Sequence, residues 1–504
     1  MIKYNYIIFF IYLFILLLPV KSFSQKVKRI EILHANTLIG SEKKGKSVRK
    51  LIGDVVLMHE GVKMYCDSAY EFINENYFDA YGSVRIEQGD SILLTGGFLH
   101  YDINEKLASV KENVRFTDKK MTLTTQTLIY NIKSNIASYT SKAVIVDSAN
   151  TLSSNRGYYY SSTKDLFFKE NVKLKNKDFT LSCDTLQYNI NSRVANFHSP
   201  TTISGEDTKI YTEKGWYNTE KRISRFRQNA YVFSKNQKIF GDILYYENES
   251  KNAEAIGNVK FIDTTEKSII YGQYAKRIKE KEIIYITDSA LFEKHNENDT
   301  MYLHADTLKI IKDSTGEKNI ILAYNNVRSF SSNMSMKCDS LSYATDDSLI
   351  ILFNDPVLWT KDNQITAKRI EMILKNNKLD KMFFEDDCFV IEKLDSIRFN
   401  QVKGKKMTAF LKNNDLYKMD VEGNAEAIYY LKDELEKYVG VNKIQSSVIF
   451  IGFKESNINT INFVTKPSGK VTPPDKTDNS ELKLLGFLWR ISEKPKSIIE
   501  LFIK

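Results

Sequence analysis

The polar and apolar positions of this chain follow a pattern that returns about every thirty residues. A polar residue is followed two places on by an apolar residue and often, two further, by an aromatic one, as in Asp184-Thr185-Leu186-Gln187-Tyr188. A nearly fixed period of this length is typical of stacked repeats, because a single unit cannot bury its apolar face alone. The pattern extends from about Leu33 to Tyr430, and its polar position falls at Asn36, Asp67, Gly97, Gln126, Arg156, Asp184, Glu213, Asp242, Gln273, Asp306, Asp339, Lys368 and Lys405.

Each unit carries a second landmark, at which a turn-like residue precedes alternating apolar positions. Gly82-Ser83-Val84-Arg85-Ile86 and Gly257-Asn258-Val259-Lys260-Phe261 are two examples. Alternation of this kind is the signature of a strand with one buried face. Apolar residues do not recur at helical spacing here, while tyrosine, phenylalanine, isoleucine and threonine are abundant. The repeat region is therefore predicted to be almost entirely strands and turns.

The alternation also changes phase inside each unit. Before Asp184 the odd positions Leu181 and Cys183 are apolar, whereas after it the even positions Leu186 and Tyr188 are. A change of phase would turn side chains to the opposite face unless the chain bends there and passes into another sheet. We therefore predict an all-β, elongated repeat of about thirteen units that forms two facing sheets joined along a folded edge. Each unit adds either one strand to each sheet or an out-and-back pair of strands.

The end of the chain departs from the repeat at Leu431 and is expected to be a small mixed segment. We expect a short helix over Lys432–Lys437, strands over Ser447–Phe453 and Asn457–Thr465, and then a proline-containing polar loop. The apolar stretch Leu484–Arg490 is expected to cover one open end of the stack, because terminal repeats usually need a cap. The predicted organisation is a signal peptide at residues 1–24, the β-repeat region at 25–430 and a capping or partner-binding segment at 431–504.

The first residues are typical of an export signal. Lys3 supplies a positive start, Ile7–Val20 is apolar, and Ser22-Phe23-Ser24 offers small residues at a cleavage site before Gln25. An uncleaved anchor is the alternative, although the apolar run is shorter than the ~20 residues that a bilayer span needs. The expected location is the periplasm, with or without association with a membrane.

The charge of the chain gives little support for nucleic acid as a partner. The formal net charge is +9, and Lys3 and Lys21 are the only charged residues before Gln25, so 9 − 2 = +7 remains after cleavage. The lysines are spread through the repeats and form no basic stripe. Attraction to anionic head groups stays open.

The residues that could carry chemistry do not form a catalytic or metal-binding pattern. The histidines are scattered singly, without the close spacing of a zinc site. One set of acids does recur in register, namely Asp67, Asp184, Asp242, Asp306 and Asp339. These acids suit either a polysaccharide-cleaving β-helix or turns at a bend, and we favour the bend because a catalytic pair is needed only once. No enzyme activity, catalytic residue, cofactor or metal ligand is predicted.

Three cysteines stand in one local setting. Cys66, Cys183 and Cys338 are each followed by Asp, then by Ser or Thr and, a few places on, by an aromatic residue. We interpret them as small buried side chains and not as a disulfide framework. With the Gly-x-Val strands at Gly82 and Gly257, these segments resemble the OstA domain family, to which the periplasmic lipopolysaccharide carrier LptA and the amino-terminal part of LptD belong. The layout resembles the long OstA-like proteins of Bacteroidetes, although this chain is much longer than a typical LptA.

The resemblance implies a non-enzymatic periplasmic protein that binds lipopolysaccharide or lipooligosaccharide and transports it between the inner and outer membranes. Two sheets that splay along one edge leave an apolar trough, in which the burial of each methylene contributes about 0.8 kcal/mol. The implied partners are the lipid and other Lpt-type β-jellyroll proteins, or a second copy, joined by end-to-end strand pairing. The candidate trough residues are Val84, Ile86, Val114, Phe116, Val144, Val146, Val172, Leu174, Val259 and Phe261.

An alternative function stays open at this point. The candidate residues could instead pack a closed core, as the inner faces of a β-sandwich do. The protein would then be a structural or carbohydrate-binding exported β-solenoid without lipid transport. A structural rod predicts a filled interior and a carbohydrate-active solenoid predicts clustered carboxylates and aromatic residues, whereas a lipid conduit predicts an apolar interior with an accessible edge.

Overall fold

The computed structural model of this chain consists almost entirely of β-strands. It describes residues 29–43, 45–295, 299–313, 319–344, 347–360, 362–375, 378–412, 415–435, 437–454, 457–473 and 482–503. The predicted signal peptide, residues 1–24, lies outside the described residues. The chain divides into two compact units, the first unit, Met1–Leu174, and the second unit, Lys175–Lys504.

The first unit contains thirteen strands, the last of which extends one residue beyond it. They are β1 (Glu31–His34), β2 (Thr37–Lys43), β3 (Lys46–His59), β4 (Val62–Phe72), β5 (Tyr77–Gln88), β6 (Ile92–Asp102), β7 (Leu107–Asp118), β8 (Met121–Asn131), β9 (Ile136–Tyr139), β10 (Ala143–Asp147), β11 (Thr151–Ser154), β12 (Arg156–Tyr160) and β13 (Asp165–Lys175).

The second unit continues with strands and ends in two short 3-10 helices, Ile491–Glu493 and Ile499–Phe502. None of the described helices is long and apolar enough to cross a bilayer. The strands are β14 (Thr180–Asn189), β15 (Val194–Phe197), β16 (Thr201–Ser204), β17 (Thr208–Thr212), β18 (Lys214–Asn218), β19 (Ile223–Ser234), β20 (Gln237–Glu247), β21 (Ala253–Asp263), β22 (Ser268–Ile278), β23 (Ile283–His295), β24 (Thr300–Lys312), β25 (Asn319–Phe330), β26 (Ser335–Ala344), β27 (Leu349–Phe353), β28 (Val357–Trp359), β29 (Asn363–Thr366), β30 (Arg369–Lys375), β31 (Lys378–Lys393), β32 (Phe399–Lys412), β33 (Asp415–Lys432), β34 (Tyr438–Lys454), β35 (Asn457–Val464) and β36 (Ser468–Thr472).

Each repeat contributes two antiparallel strands that run out and back. In the first unit Phe78 of β5 pairs with Tyr101 of β6. In the second unit Phe261 of β21 lies between Ile239 of β20 and Ile270 of β22. The all-β repeat is therefore confirmed, and of the two strand counts considered, the out-and-back pair is the one observed.

The out-and-back strands are bent at pairs of residues with positive φ. In β5 these are Gly82 (φ 75) and Ser83 (φ 42), which together oppose the single residue Asp67 of β4. The register shifts there, between Tyr81 and Val84, because an extra residue on one strand forms a β-bulge. Equivalent pairs are Gly53–Asp54, Glu112–Asn113, Glu170–Asn171, Gln228–Asn229, Gly257–Asn258, Asp288–Ser289, Asn325–Asn326, Asn354–Asp355, Asp386–Asp387 and Gly423–Asn424.

The bend keeps the apolar side chains of both halves of a strand on the inside. In β4, Met64 and Cys66 are buried before Asp67, and Ala69 is buried after it, so burial passes from even to odd positions. Each strand therefore contributes one half to each of two walls that face the interior. The predicted change of phase is confirmed.

The recurrent polar residue of the repeat lies over the bulge of a neighbouring strand. Asn258 Nδ2 donates to Asp242 Oδ2 at 2.9 Å, and Ser83 Oγ donates to Asp67 Oδ2 at 3.3 Å. A Cβ at Gly82 would lie 2.2 Å from Asp67 Oδ2, so this approach requires a residue without a side chain. The acids that recur in register thus belong to the bend, as we favoured. Asp67, Asp242, Asp306 and Asp339 accept hydrogen bonds from side chains of the facing bulge, whereas Asp184 Oδ2 accepts one from Thr185 Oγ1.

Strand pairing continues beyond Tyr430, the expected end of the repeat region. β33 pairs with β34, and β34 pairs with both β35 and β36. The short helix expected over Lys432–Lys437 is wrong, because the described residues there are the end of β33 and a turn. Asp433 Oδ1 accepts hydrogen bonds from the backbone amides of Leu435 at 3.0 Å and Lys437 at 2.8 Å, and this local bonding closes a hairpin.

Residues 482–503, which we call the strap, leave the strands and cross the outer face of the second unit. Gln364 marks this face, since it pairs with Ile391 while the adjacent Ile365 and Val390 pack into the interior. The stretch Leu484–Arg490, expected to cover an open end of the stack, lies at the start of this path. Leu482 and Leu484 of the strap form an apolar cluster with strand residues beneath them, namely Phe389, Ile391, Ile428, Tyr430 and Val441.

Candidate functional site

The interior of the first unit is filled by its own side chains. The ring of Phe116 lies 5.5 Å from that of Tyr130 and 5.8 Å from that of Tyr159. Packing of this kind is that of a close-packed core. Six of the predicted trough residues face inward here, and each is at most 2% exposed: Val84, Ile86, Val114, Phe116, Val172 and Leu174.

Two of the predicted trough residues face away from the interior. Val146 is 47% exposed and Val144 is half-buried, whereas the alternate residues Ala143 and Ile145 are buried. Successive side chains of a strand point to opposite faces, so Val144 and Val146 lie on the outer face of β10. The run of four apolar residues gave no alternation from which the inward pair could be chosen.

The edge of the first unit opposite the bends is closed by hydrogen bonds between the two walls. We call this row of bonds the seam. Tyrosines from one wall reach polar residues of the other, and lysines reinforce two of the contacts, Lys106 with Glu60 and Lys164 with Asp118, each at 2.5 Å. The pairs are His59 Nδ1 with Tyr101 OH at 2.7 Å, Tyr130 OH with Gln88 Oε1 at 2.5 Å, and Tyr159 OH with Asp118 Oδ2 at 2.6 Å.

The seam follows the repeat. Its partners are 42, 42 and 41 residues apart in sequence. Gln126 is the residue of β8 that opposes the bulge of β7, and Tyr130 is the fourth residue after it. The other two tyrosines stand at the same spacing from the residue that opposes a bulge. Burial raises the pKa of Tyr101, Tyr130 and Tyr159 above the usual value, so each ring stays a neutral hydrogen-bond donor.

Between β19 and β24 of the second unit the corresponding edge is open. Inward side chains next to the bends, such as those of Phe226 and the predicted trough residue Val259, are buried. Ile270 and Phe292 are buried as well. Several other inward side chains nearer the opposite edge are only half-buried. They are Val232, Ile239 and Phe261 on one wall and Ile284 and Ile310 on the other, and we call these five residues the groove.

The groove residues form continuous rows because strand pairing aligns them. Ile239 pairs with Val232 on one side and with Phe261 on the other. On the facing wall Ile284 pairs with Ile310. Three adjacent strands of one wall therefore present one uninterrupted apolar row whose outer part reaches solvent.

The tyrosine position of the seam holds other residues in β22 and β24. In β22 and β24 the residues that oppose a bulge are Gln273 and Asp306. The fourth residue after each is Arg277 and Ile310, at the spacing that Tyr130 and Tyr159 have in the first unit. Isoleucine has no hydrogen-bonding group, and the exposed side chain of Arg277 lies at the solvent edge. The bond that closes the first unit therefore has no donor at Ile310.

In the open segment, the residue at the acceptor position of the seam bonds to a different partner. Asp263 stands five residues after the bulge residue Asn258, as Asp118 does after Asn113 in the first unit. Its Oδ2 atom accepts a hydrogen bond from Gln237 Nε2 at 2.9 Å, on its own wall. Bonds of this kind tie neighbouring hairpins of one wall together and leave the walls apart.

Basic and acidic side chains both lie at the edge of the groove. Arg277 pairs with Ile284 and is exposed, and Lys294 occupies the inward register position opposite Ser268. Lys294 Nζ lies 2.9 Å from Glu266 Oε2, and the Glu266 side chain is 61% exposed. An exposed ion pair contributes only about 0–1 kcal/mol, so it is easily exchanged for another anion. An apolar row beside basic side chains that can exchange their partners suits an amphiphile with an anionic head group.

The amino-terminal part of the chain matches a known family. The family described as OstA-like protein matches residues 27–184. The chain has an OstA-like amino-terminal region. The resemblance predicted from the Cys66 and Gly82 segments is confirmed, and the seam lies within this OstA-like region.

One solved structure with a similarity to the chain is the crystal structure of LptH, the LptA homologous periplasmic component of the conserved lipopolysaccharide transport device from Pseudomonas aeruginosa. The two chains are 14% identical, the similarity covers 26% of this chain and 76% of LptH, and the TM-score is 0.14. Among curated proteins none matches this chain. The OstA-like region carries the family resemblance, and the groove lies outside the matched residues.

The sequence predicted one groove residue, Phe261, and missed the other four. Alternation identifies a side chain that points inward, but it does not tell whether the facing wall covers that side chain. A usable signal lay at the seam position, where Tyr101, Tyr130 and Tyr159 give way to Ile310. The replacement of tyrosine by Arg277 and Ile310 accompanies the open edge, although β20 of the same segment keeps Tyr246 at this position.

Proposed function

We propose that the protein binds the acyl chains of lipopolysaccharide or lipooligosaccharide in the groove and takes part in transport of this lipid between the inner and outer membranes. The observation that supports this most directly is the half-buried row Val232, Ile239 and Phe261. Each methylene that such a row removes from water contributes about 0.8 kcal/mol. The row contains no polar side chain, so no position along it binds an acyl chain much more strongly than its neighbours, and the chain can move along it.

Two basic side chains at the edge of the groove support an anionic glycolipid as the ligand. Arg277 and Lys294 lie where a head group would emerge from the groove. Charge-assisted hydrogen bonds from such side chains to phosphate or carboxylate oxygens are roughly twice as strong as neutral ones. The charged sugar would stay in solvent while the acyl chains lie against the groove.

A structural role is the second candidate, and the filled interior of the first unit favours it for that part of the chain. Val84, Ile86 and Phe116 are covered by protein, so they leave no room for a ligand while the seam is closed. In this proposal the OstA-like region acts as scaffold, and lipid binding belongs to the second unit.

Strand pairing is the proposed means of contact with other Lpt-type β-jellyroll proteins or with a second copy in the periplasm. Among the described residues β2 pairs with β3, and Leu38 and Ile39 on β2 are exposed. An edge strand of this kind offers backbone donors and acceptors to a strand from another chain.

Site-specific photo-crosslinking in cells tests the groove. A photoreactive amino acid replaces Ile239 or Phe261 in the exported protein, and lipopolysaccharide attached to the protein is detected after illumination. We expect labelling at both positions. Probes at the buried Ile86 and at the outward-facing Lys260, on the same strand as Phe261, are the matched controls and should remain unlabelled.

The controls separate the two candidate functions. Absence of labelling at both Ile239 and Phe261, in protein shown to be folded and exported, overturns lipid binding in the groove and leaves the structural role. Labelling at Ile86 as strong as at Phe261 would instead place the lipid inside the first unit and contradict the assignment of the site.

A further inference from the structure

The strap is held on the second unit by buried polar side chains. Gln401 Nε2 donates to the backbone oxygen of Leu482 at 2.8 Å, and Gln401 Oε1 accepts from the backbone amide of Leu484 at 2.9 Å. Gln364 makes the same pair of bonds, to the oxygen of Leu488 at 2.7 Å and from the amide of Arg490 at 2.6 Å. Each amide side chain thus bonds the strap as a neighbouring strand would.

Further contacts fix the rest of the strap. Ser335 Oγ donates to the backbone oxygen of Pro495 at 2.8 Å. Glu493 is bound by Arg490 at 2.7 Å and by Lys337 at 2.5 Å, and hydrogen bonds from Arg490 and then Lys337 lower the pKa of this carboxyl to about 2. The ring of Phe502 lies 4.3 Å from that of His304. The strap is therefore attached along its whole length.

The opposite side of the strap exposes large aliphatic residues. Leu485 is 85% exposed, Leu488 64% and Ile499 79%, and Ile503 is also exposed. Because the backbone is fastened to the strands, these side chains cannot turn inward without breaking the bonds described above. An exposed apolar surface of this kind marks a contact with another molecule or with a membrane.

The two charged residues of the strap that are exposed are basic. Within residues 482–503 there are four basic residues and two acidic ones, Glu493 and Glu500, so the net charge is 4 − 2 = +2. Glu493 is already bound to Arg490 and Lys337. The basic side chains that face solvent are Lys483 and Lys496.

The composition of this surface favours a bilayer over a protein partner. The centres of protein interfaces are enriched in aromatic residues and arginine and depleted in lysine. The strap does the reverse: the ring of Trp489 packs against that of Phe399 at 5.5 Å, while leucine, isoleucine and lysine face outward. Aliphatic side chains beside lysines are the combination with which peripheral segments enter the surface of an anionic membrane.

We infer that the strap docks the second unit on a lipid bilayer with anionic head groups. Leu485, Leu488 and Ile499 enter the boundary between head groups and acyl chains, and Lys483 and Lys496 contact the phosphates. This assignment is independent of lipid binding in the groove, since it concerns the outer face of the strands.

Vesicle co-sedimentation of the exported form, from Gln25 onward, tests the inference. The probes are vesicles of phosphatidylcholine with and without phosphatidylglycerol. We expect the protein to bind the anionic vesicles and the triple variant Leu485→Ser, Leu488→Ser, Ile499→Ser to bind about tenfold more weakly. The variant Lys483→Glu, Lys496→Glu should lose the preference for anionic vesicles.

The matched control changes exposed apolar residues elsewhere, with Ile129→Ser on β8 and Val146→Ser on β10, and should bind vesicles like the unchanged protein. Circular dichroism checks that each variant keeps its strands. No vesicle binding by the unchanged protein, or equal binding by the triple variant, overturns the inference. If the triple variant instead abolishes a concentration-dependent dimer seen by sedimentation, the surface contacts a second copy and the bilayer assignment is wrong.

Discussion

The OstA-like region and the β19–β24 segment of the second unit are built from the same bent hairpins, and they differ at the edge opposite the bends. In the former, Tyr130 and Tyr159 cross to the facing wall and close the interior. In the latter, Ile310 takes the tyrosine position and Asp263 bonds to its own wall. A few side chains at one position of the repeat therefore decide whether the same fold encloses a core or offers a groove.

The largest expected effect comes from removing a ring from each region. Phe116→Ala empties part of a closed core and should lower the free energy of unfolding of the first unit by about 3–5 kcal/mol. Phe261→Ala removes a half-buried ring and should cost the second unit about 1–2 kcal/mol. Hydrogen–deuterium exchange of amides in each unit measures both. Equal losses would show that the groove is as closely packed as the core.

Breaking the seam should have the next largest effect. Asp118→Ala leaves the hydroxyl of Tyr159 and the ammonium of Lys164 without their acceptor, at a cost of about 3 kcal/mol. In the open segment, Glu266→Ala removes only an exposed partner of Lys294 and should cost less than about 1 kcal/mol. Thermal unfolding of the two variants gives the comparison. A loss for Asp118→Ala no larger than that for Glu266→Ala would contradict the role of the seam.

The bent hairpins could be predicted from the sequence because their signal is local. The polar residue at each change of phase, such as Asp184, marks the bend directly. The apolar run that contains Val144 and Val146 was ambiguous, since neighbouring positions are equally apolar. The groove was not predicted, because alternation does not show how residues about forty positions apart meet across the walls.

One sequence feature indicates where the strap lies, although it is not an alternation of polar and apolar residues. β31 contains the run Phe389-Val390-Ile391, which is apolar on both faces of the strand. Such a run is typical of a strand covered on both sides. It indicated that an outer layer exists there, although it did not tell which segment supplies it.

Alkaline pH should weaken the closed region more than the open one. The pKa of each seam tyrosine is raised in the folded chain, so its proton is kept when the unfolded chain, with a pKa near 10, has lost it. The stabilising contribution is full below about pH 10 and falls above it by about 1.4 kcal/mol per pH unit for each tyrosine.

Urea unfolding of the first unit across this range, with and without Tyr101→Phe, Tyr130→Phe and Tyr159→Phe, measures the contribution of the seam. The triple variant should show a flatter decline with pH, whereas Tyr158→Phe, at an exposed position of β12, should follow the unchanged protein. Parallel curves for the unchanged protein and the triple variant would refute the expectation.

The smallest expected effect is the transfer of one seam bond to the groove. Ile310→Tyr places a hydroxyl at the position of Tyr159, with Asp263 at the position of Asp118. A new bond between them should stabilise the second unit by about 1 kcal/mol. It should also reduce photo-crosslinking of lipopolysaccharide at Phe261. Ile310→Phe, which has the ring without the hydroxyl, is the control, and an equal reduction by both would assign the effect to bulk.

The hairpin pairing keeps the partners of every ladder described close together in the chain. Lys418 and Gly452, 34 residues apart, are near the upper limit of these separations. Low contact order allows such a chain to fold strand by strand, because each new strand pairs with a neighbour that has already formed. A duplication or deletion of one hairpin would lengthen or shorten the ladder without shifting the register of its neighbours, so evolution could adjust the span of such a protein in steps of one hairpin.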